Sequence, residues 1–161
     1  MRRVVLLVVV AAVALSGCSA LSPTGAPLLT VDNRDDAEYR LAVYVLPDVD
    51  DPAGLTFQAV DASGDRRSLA TAELRGNASY RNVTLDAEGA DVSRVTVRSG
   101  ATTSAAINVW ESGDATVYVI ETTDGTASLV GAWVITCGTR DQEHGITIAN
   151  GTIDGRSTVC P

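Results

Sequence analysis

The sequence predicts an all-β domain: an antiparallel β-sandwich, with a small β-barrel as the alternative. Three observations carry that expectation. The hydrophobic period along the chain is two, not 3.6, which is the signature of half-buried strands. Turn chemistry falls between the alternating runs: Ser63-Gly64-Asp65, Glu88-Gly89, Ser99-Gly100, Ser112-Gly113-Asp114, Asp124-Gly125 and Asn150-Gly151. Such pairs tolerate the positive φ that tight hairpins require. No segment carries a sustained helical stripe, and many short strands at this spacing suit a sandwich or barrel.

The elements follow in order. Residues 30–32 open the series. Residues 39–46 place Leu41, Val43 and Val45 on one face and Arg40, Ala42 and Tyr44 on the other. Residues 55–60 come next, then 67–72 more weakly. Residues 79–85 set Arg81, Val83 and Leu85 against Tyr80, Asn82 and Thr84. Residues 92–98 alternate most cleanly, with Val95 and Val97 opposed to Arg94, Thr96 and Arg98. Runs at 105–110, 116–123, 127–136, 145–149 and 152–159 complete the set. Residues 129–135 are apolar on both faces, which predicts a central strand with Trp133 in the core.

The first 27 residues read differently. Arg2 and Arg3 give a basic start, and Val4 to Leu15 is an unbroken run of 12 apolar residues. A spanning helix needs about 20, so a membrane span is not expected. The run meets Leu15-Ser16-Gly17-Cys18. A basic start, a short apolar stretch and small residues at the cut describe a secretory signal. The Leu-Ser-Gly-Cys string resembles the lipobox of prokaryotic lipoproteins. That resemblance implies cleavage between Gly17 and Cys18 and a lipid on the Cys18 sulfur. The expected organisation is therefore a signal peptide over 1–17, a lipidated tether over 18–27 and a β-domain over 28–161. The paired arginines leave general secretory and twin-arginine export both open.

Composition narrows the setting. Without residues 1–17 the chain keeps 10 Arg, no Lys, 14 Asp and 6 Glu, a formal charge of −10. Dense carboxylates hold a surface hydrated, and high salt screens their repulsion. The balance is that of an extreme halophile. Nucleic acid is excluded as a partner, because the phosphate backbone requires a basic footprint. The expected contacts are the membrane, through lipid on Cys18, and another envelope protein or a glycan.

With Cys18 assigned to lipid, Cys137 and Cys160 remain, and an exported chain is expected to bridge them. If 127–136 runs up, 145–149 down and 152–159 up again, Cys160 arrives at the same end of the sheet as Cys137. Three N-x-S/T sequons, at Asn77, Asn82 and Asn150, are acceptor signals for glycosylation wherever they are exported and exposed.

The sequence resembles a group of small haloarchaeal lipobox-containing secreted lipoproteins. The residues that carry the likeness are the lipobox, Leu29-Thr-Val-Asp-Asn33, Val117-Tyr-Val-Ile120, Ala132-Trp-Val-Ile-Thr-Cys137 and the Cys160 ending. The resemblance implies an immunoglobulin-like β-domain with no assigned activity.

Chemistry beyond this is sparse. His144 is the only histidine, and Asp141-Gln-Glu-His144 reads as an exposed loop rather than a general base with a carboxylate. There is no G-x-S-x-G or H-E-x-x-H string, and one His cannot build a cupredoxin copper site. Asp48, Asp50 and Asp51 lack calcium-loop spacing. Asp32, Asp35, Asp36 and Glu38 read as a solvated turn. Trp110 is the expected exposed aromatic for a carbohydrate platform. No catalytic residue, metal or cofactor is expected. The leading expectation is a non-catalytic surface binding module. The alternatives are an accessory subunit of a membrane complex, or a hydrolase using Asp and Glu such as the Asp141/Glu143 pair.

Overall fold

The computed structural model describes residues 25–74, 79–125, 127–137 and 142–160. Its strands are β1 (Leu28–Asn33), β2 (Tyr39–Leu46), β3 (Thr56–Val60), β4 (Arg66–Ala70), β5 (Arg81–Leu85), β6 (Asp91–Val97), β7 (Thr102–Ala106), β8 (Ala115–Thr122), β9 (Leu129–Ile135), β10 (Glu143–Ala149) and β11 (Thr152–Val159). They form an outer sheet β11-β10-β1-β7, a middle sheet β6-β2-β8-β9 and a small sheet β4-β3-β5. Neighbouring strands are antiparallel except β1 and β10, which run parallel from Leu28↔Glu143 to Asn33↔Ile148. No sheet closes on itself, so the barrel alternative falls and the sandwich stands.

The alternation of β2 decides the layering. Leu41, Val43 and Val45 enter a core shared with Leu29, Val31, Ile146 and Ile148 of the outer sheet. Tyr44 and Leu46, from the opposite face, enter a second core with Phe57, Ala59, Leu69 and Val83 of the small sheet. The middle sheet is thus covered on both faces. That is why β8 is buried at every residue from Ala115 to Glu121 and reads as a near-continuous apolar run. The sandwich expected from the sequence gains a third layer.

Four expectations are corrected. Leu129–Ile135 is not a central strand. It is the outer strand of the middle sheet, with β8 as its strand partner and one further backbone bond from the Leu129 N–H to the Tyr80 carbonyl at 2.7 Å. It is apolar on both faces because the sheet it borders is itself sandwiched. β9 packs closely on β11 at Gly131: a Cβ there would lie 2.7 Å from Ile153 Cδ1, so the end of that side chain would have to move aside. Second, the strand expected at 105–110 is displaced to Thr102–Ala106, and the Trp110 N–H turns back onto the Ile107 carbonyl at 3.2 Å. Third, residues 71–72 leave the strand for a 3-10 turn over Thr71–Leu74 that drives Leu74 into the second core. Another 3-10 turn, Pro52–Gly54, is capped by Asp51, whose side chain accepts from the Ala53 N–H at 3.0 Å. Finally, the two bridging cysteines follow strands of different sheets, as described below.

The β10–β11 hairpin turns on Asn150 and Gly151, with φ of 54° and 69°. Both positive values are what Asn-Gly supplies at low cost. The register of β10 on β11 shifts between Thr147 and Ile148. That irregularity, with Asp154 and Arg156 beside it, blunts the free edge of β11 against strand addition.

Candidate functional site

Cys137 follows β9 of the middle sheet, and Cys160 follows β11 of the outer sheet. The two are bridged, with Cα atoms 5.7 Å apart. The sequence placed them at one end of one sheet. Instead β9 and the β10–β11 hairpin occupy facing sheets, so the bridge fastens the two principal layers together.

Beneath the bridge lies a buried polar chain. His144 is 1% exposed, in contrast to the exposed loop position its acidic neighbours suggest. It sits on β10 in phase with Ile146 and Ile148, which carries its ring inward. Its Nε2 is 3.0 Å from Gln142 Oε1, and its Nδ1 meets the Tyr118 hydroxyl of β8. Gln142 Nε2 in turn donates to the Cys137 carbonyl at 2.5 Å. One direction satisfies every group: Tyr118 O–H to Nδ1, Nε2–H to Gln142, and the amide N–H to Cys137. This chain requires a neutral imidazole, and burial pushes the His144 pKa down to about 4. Burial likewise raises that of Tyr118. The Trp133 ring stacks on Tyr118 at 5.0 Å, and Tyr118 meets His144 edge-on at 5.6 Å. A general-base role for His144 finds no free ring nitrogen and no carboxylate partner among the described residues. Glu143 is exposed, and Asp141 lies outside the described residues.

The acidic turn between β1 and β2 is also more than a solvated turn. Asp35 accepts from Tyr39 Oη at 2.6 Å, from the Asn150 N–H at 2.5 Å and from the Gly151 N–H at 2.8 Å. Those bonds hold its carboxyl below the usual range, the Tyr39 hydroxyl contributing most. Asp35 therefore ties the β1–β2 turn to the distant β10–β11 hairpin. Asp35→Ala is expected to cost about 2 kcal/mol in urea unfolding, through the backbone donors and the buried tyrosine hydroxyl left behind. A loss below a few tenths of that would show water replacing the carboxylate. Asp32 instead pairs with Arg34 at 2.7 Å.

Both tryptophans are buried, Trp110 at 7% and Trp133 at 9% exposure. The Trp110 indole N–H donates to the Asp114 carbonyl at 3.0 Å. Trp110 therefore offers no exposed platform, and no alternation in the sequence announced its inward turn. Trp133 borders a cleft of about 420 Å3, with the Arg156 guanidinium 5.8 Å from its ring centre. A second cleft, of about 480 Å3, opens between the small and middle sheets and is lined by Arg40, Arg81, Asn82 and Thr122 among others. Behind it Glu121, 5% exposed, accepts from Arg40 Nη2 at 3.0 Å and from the Val83 N–H at 2.9 Å. This carboxylate joins β2, β8 and β5 and fixes the Arg40 head. Sequence reasoning missed it. Its only signal is that Arg40 shares a face with Tyr44.

Of the sequons, Asn82 on β5 and Asn150 in the hairpin turn are exposed, and Asn77 lies outside the described residues. So does Cys18. Among the described residues no group of three His, Cys, Asp or Glu is placed to hold a metal, and the acids at 48, 50 and 51 form no such group.

Facing sheets of mostly antiparallel strands, apolar cores between them and a bridge joining the layers define an immunoglobulin-like β-domain module. The profile of a family described as "Halobacterial Ig domain protein" matches residues 1–161, and the chain belongs to that family. No curated protein and no solved structure matches the chain.

Proposed function

We propose that this immunoglobulin-like module works at the extracytoplasmic face of the cell membrane. There it is held by lipid on Cys18, and it contacts another envelope protein or a glycan without catalysing a reaction. Residues 1–17 act as the removable signal, and the small, proline-containing stretch 18–27 is the tether. The observation that carries this reading is Leu15-Ser16-Gly17-Cys18 closing the 12-residue apolar run from Val4 to Leu15. The Cys137–Cys160 bridge agrees with an oxidising compartment. Exposure of Asn82 and Asn150 agrees with glycans added after export.

Cys18→Ser tests the anchor. The variant is expected to accumulate unprocessed or to leave the membrane fraction. Membrane-bound variant of normal mature mass would overturn the lipid anchor.

A further inference from the structure

We infer that the cleft between the small and middle sheets binds an acidic sugar through the sugar's carboxylate or sulfate. The inference deepens the interaction-module reading and rests on it, by naming what the module contacts. In a domain of formal charge −10, this cleft is lined by two arginines, and no carboxylate lines it among the described residues. Arg34 and Arg67, by contrast, are paired at 2.7 Å with Asp32 and Asp61. Arg81 makes no ion pair with any described residue. Its Nη2 lies over Gly64, 3.9 Å from where a Cβ would stand. Arg40 has one Nη2 contact to the buried Glu121, and its side chain remains 42% exposed. Glu121 thereby acts from behind, holding one guanidinium in place with donors to spare. A guanidinium fixed in this way presents a planar fork that matches an oxyanion.

The rest of the lining selects the body that carries the anion. The Thr122 hydroxyl accepts from the Ser128 N–H at 3.1 Å and keeps its own O–H for a sugar hydroxyl, and Val60 offers an apolar patch for a ring face. The space is a cleft of about 480 Å3, within the usual range of small-ligand sites.

The test uses the full chain in detergent and concentrated KCl. Glucuronate is titrated against glucose and against a short aspartate-rich peptide, with the arginine Nε–H signals and the heat of binding as readouts. Glucuronate is expected to bind and to shift the signals of Arg40 and Arg81, while glucose does not. Arg81→Gln is expected to weaken binding roughly tenfold, the value of one lost charge-assisted contact, at an unchanged melting temperature. Arg156→Gln, on β11 of the outer sheet, is expected to bind as wild type. Equal binding of glucose, capture of the peptide instead of glucuronate, saturation by chloride alone, or an Arg81→Gln variant as tight as wild type would each overturn the inference. Binding in detergent does not need the membrane, so these outcomes are separable from failure of the Cys18 anchor.

Discussion

Acidification from neutrality to about pH 4 is expected to remove about 3 kcal/mol of unfolding free energy, through His144 alone. The sign follows from burial. The folded pKa of about 4 lies below the ordinary 6.5, so between those values the unfolded chain binds a proton that the folded chain refuses. Stability is therefore whole above about pH 6.5, falls through the window and levels off below the folded pKa. His144 is the only histidine, and the carboxylates with resolved shifts, Asp32, Asp35 and Asp61, are all lowered from 3.8 and act at more acid pH. Urea midpoints at neutral and acid pH, in constant high salt, measure the slope. His144→Leu with Tyr118→Phe, which removes the histidine and the hydroxyl that faced it, is expected to flatten it. An equal slope in that variant would mean the imidazole is charged in the folded state.

Reduction of Cys137–Cys160 is expected to cost a similar amount. The bridge closes residues 23 apart in sequence, which the chain-entropy account values at about 3 kcal/mol. For a domain of this size that corresponds to a melting temperature lower by roughly 10 °C. Calorimetry of the native protein and of a Cys137→Ala/Cys160→Ala variant, both in high salt, checks it. An unchanged melting temperature would show that the sheets need no covalent tie. The two effects are not independent, because Gln142 bonds both His144 and the Cys137 carbonyl. Loosening the bridge will loosen the seat of the imidazole, so the losses are expected to be non-additive.

The residues that sequence reasoning placed correctly share one property: their environment follows from local parity. Leu41, Val43 and Val45 face one core and Tyr44 the other, as alternation demands. Asn150-Gly151 turns a hairpin because its own backbone preferences suffice. The errors share the opposite property. His144 was judged by its charged neighbours Asp141 and Glu143, but a strand buries every second residue whatever stands between. The polar Glu111-Ser112-Gly113 after Trp110 suggests exposure, and the indole instead folds back onto Asp114. The Arg40–Glu121–Val83 contact joins residues far apart in sequence and across two sheets, so no spacing could announce it.

By itself the sequence determined the all-β class, the faces of several strands, the turns and the presence of Cys137 and Cys160 as a pair that could bridge. These are properties of neighbouring residues: period two, tolerance of positive φ, and count. Only the tertiary structure decided that there are three layers rather than two, and that β9 lies at an edge. It also decided that the bridge joins two sheets and that Arg40 and Arg81 share a cleft. Those outcomes depend on which strands pair at long range. A strand buried on both faces reads the same in sequence whether it has one hydrogen-bonded neighbour or two, because alternation reports what covers its faces and says nothing of its edges.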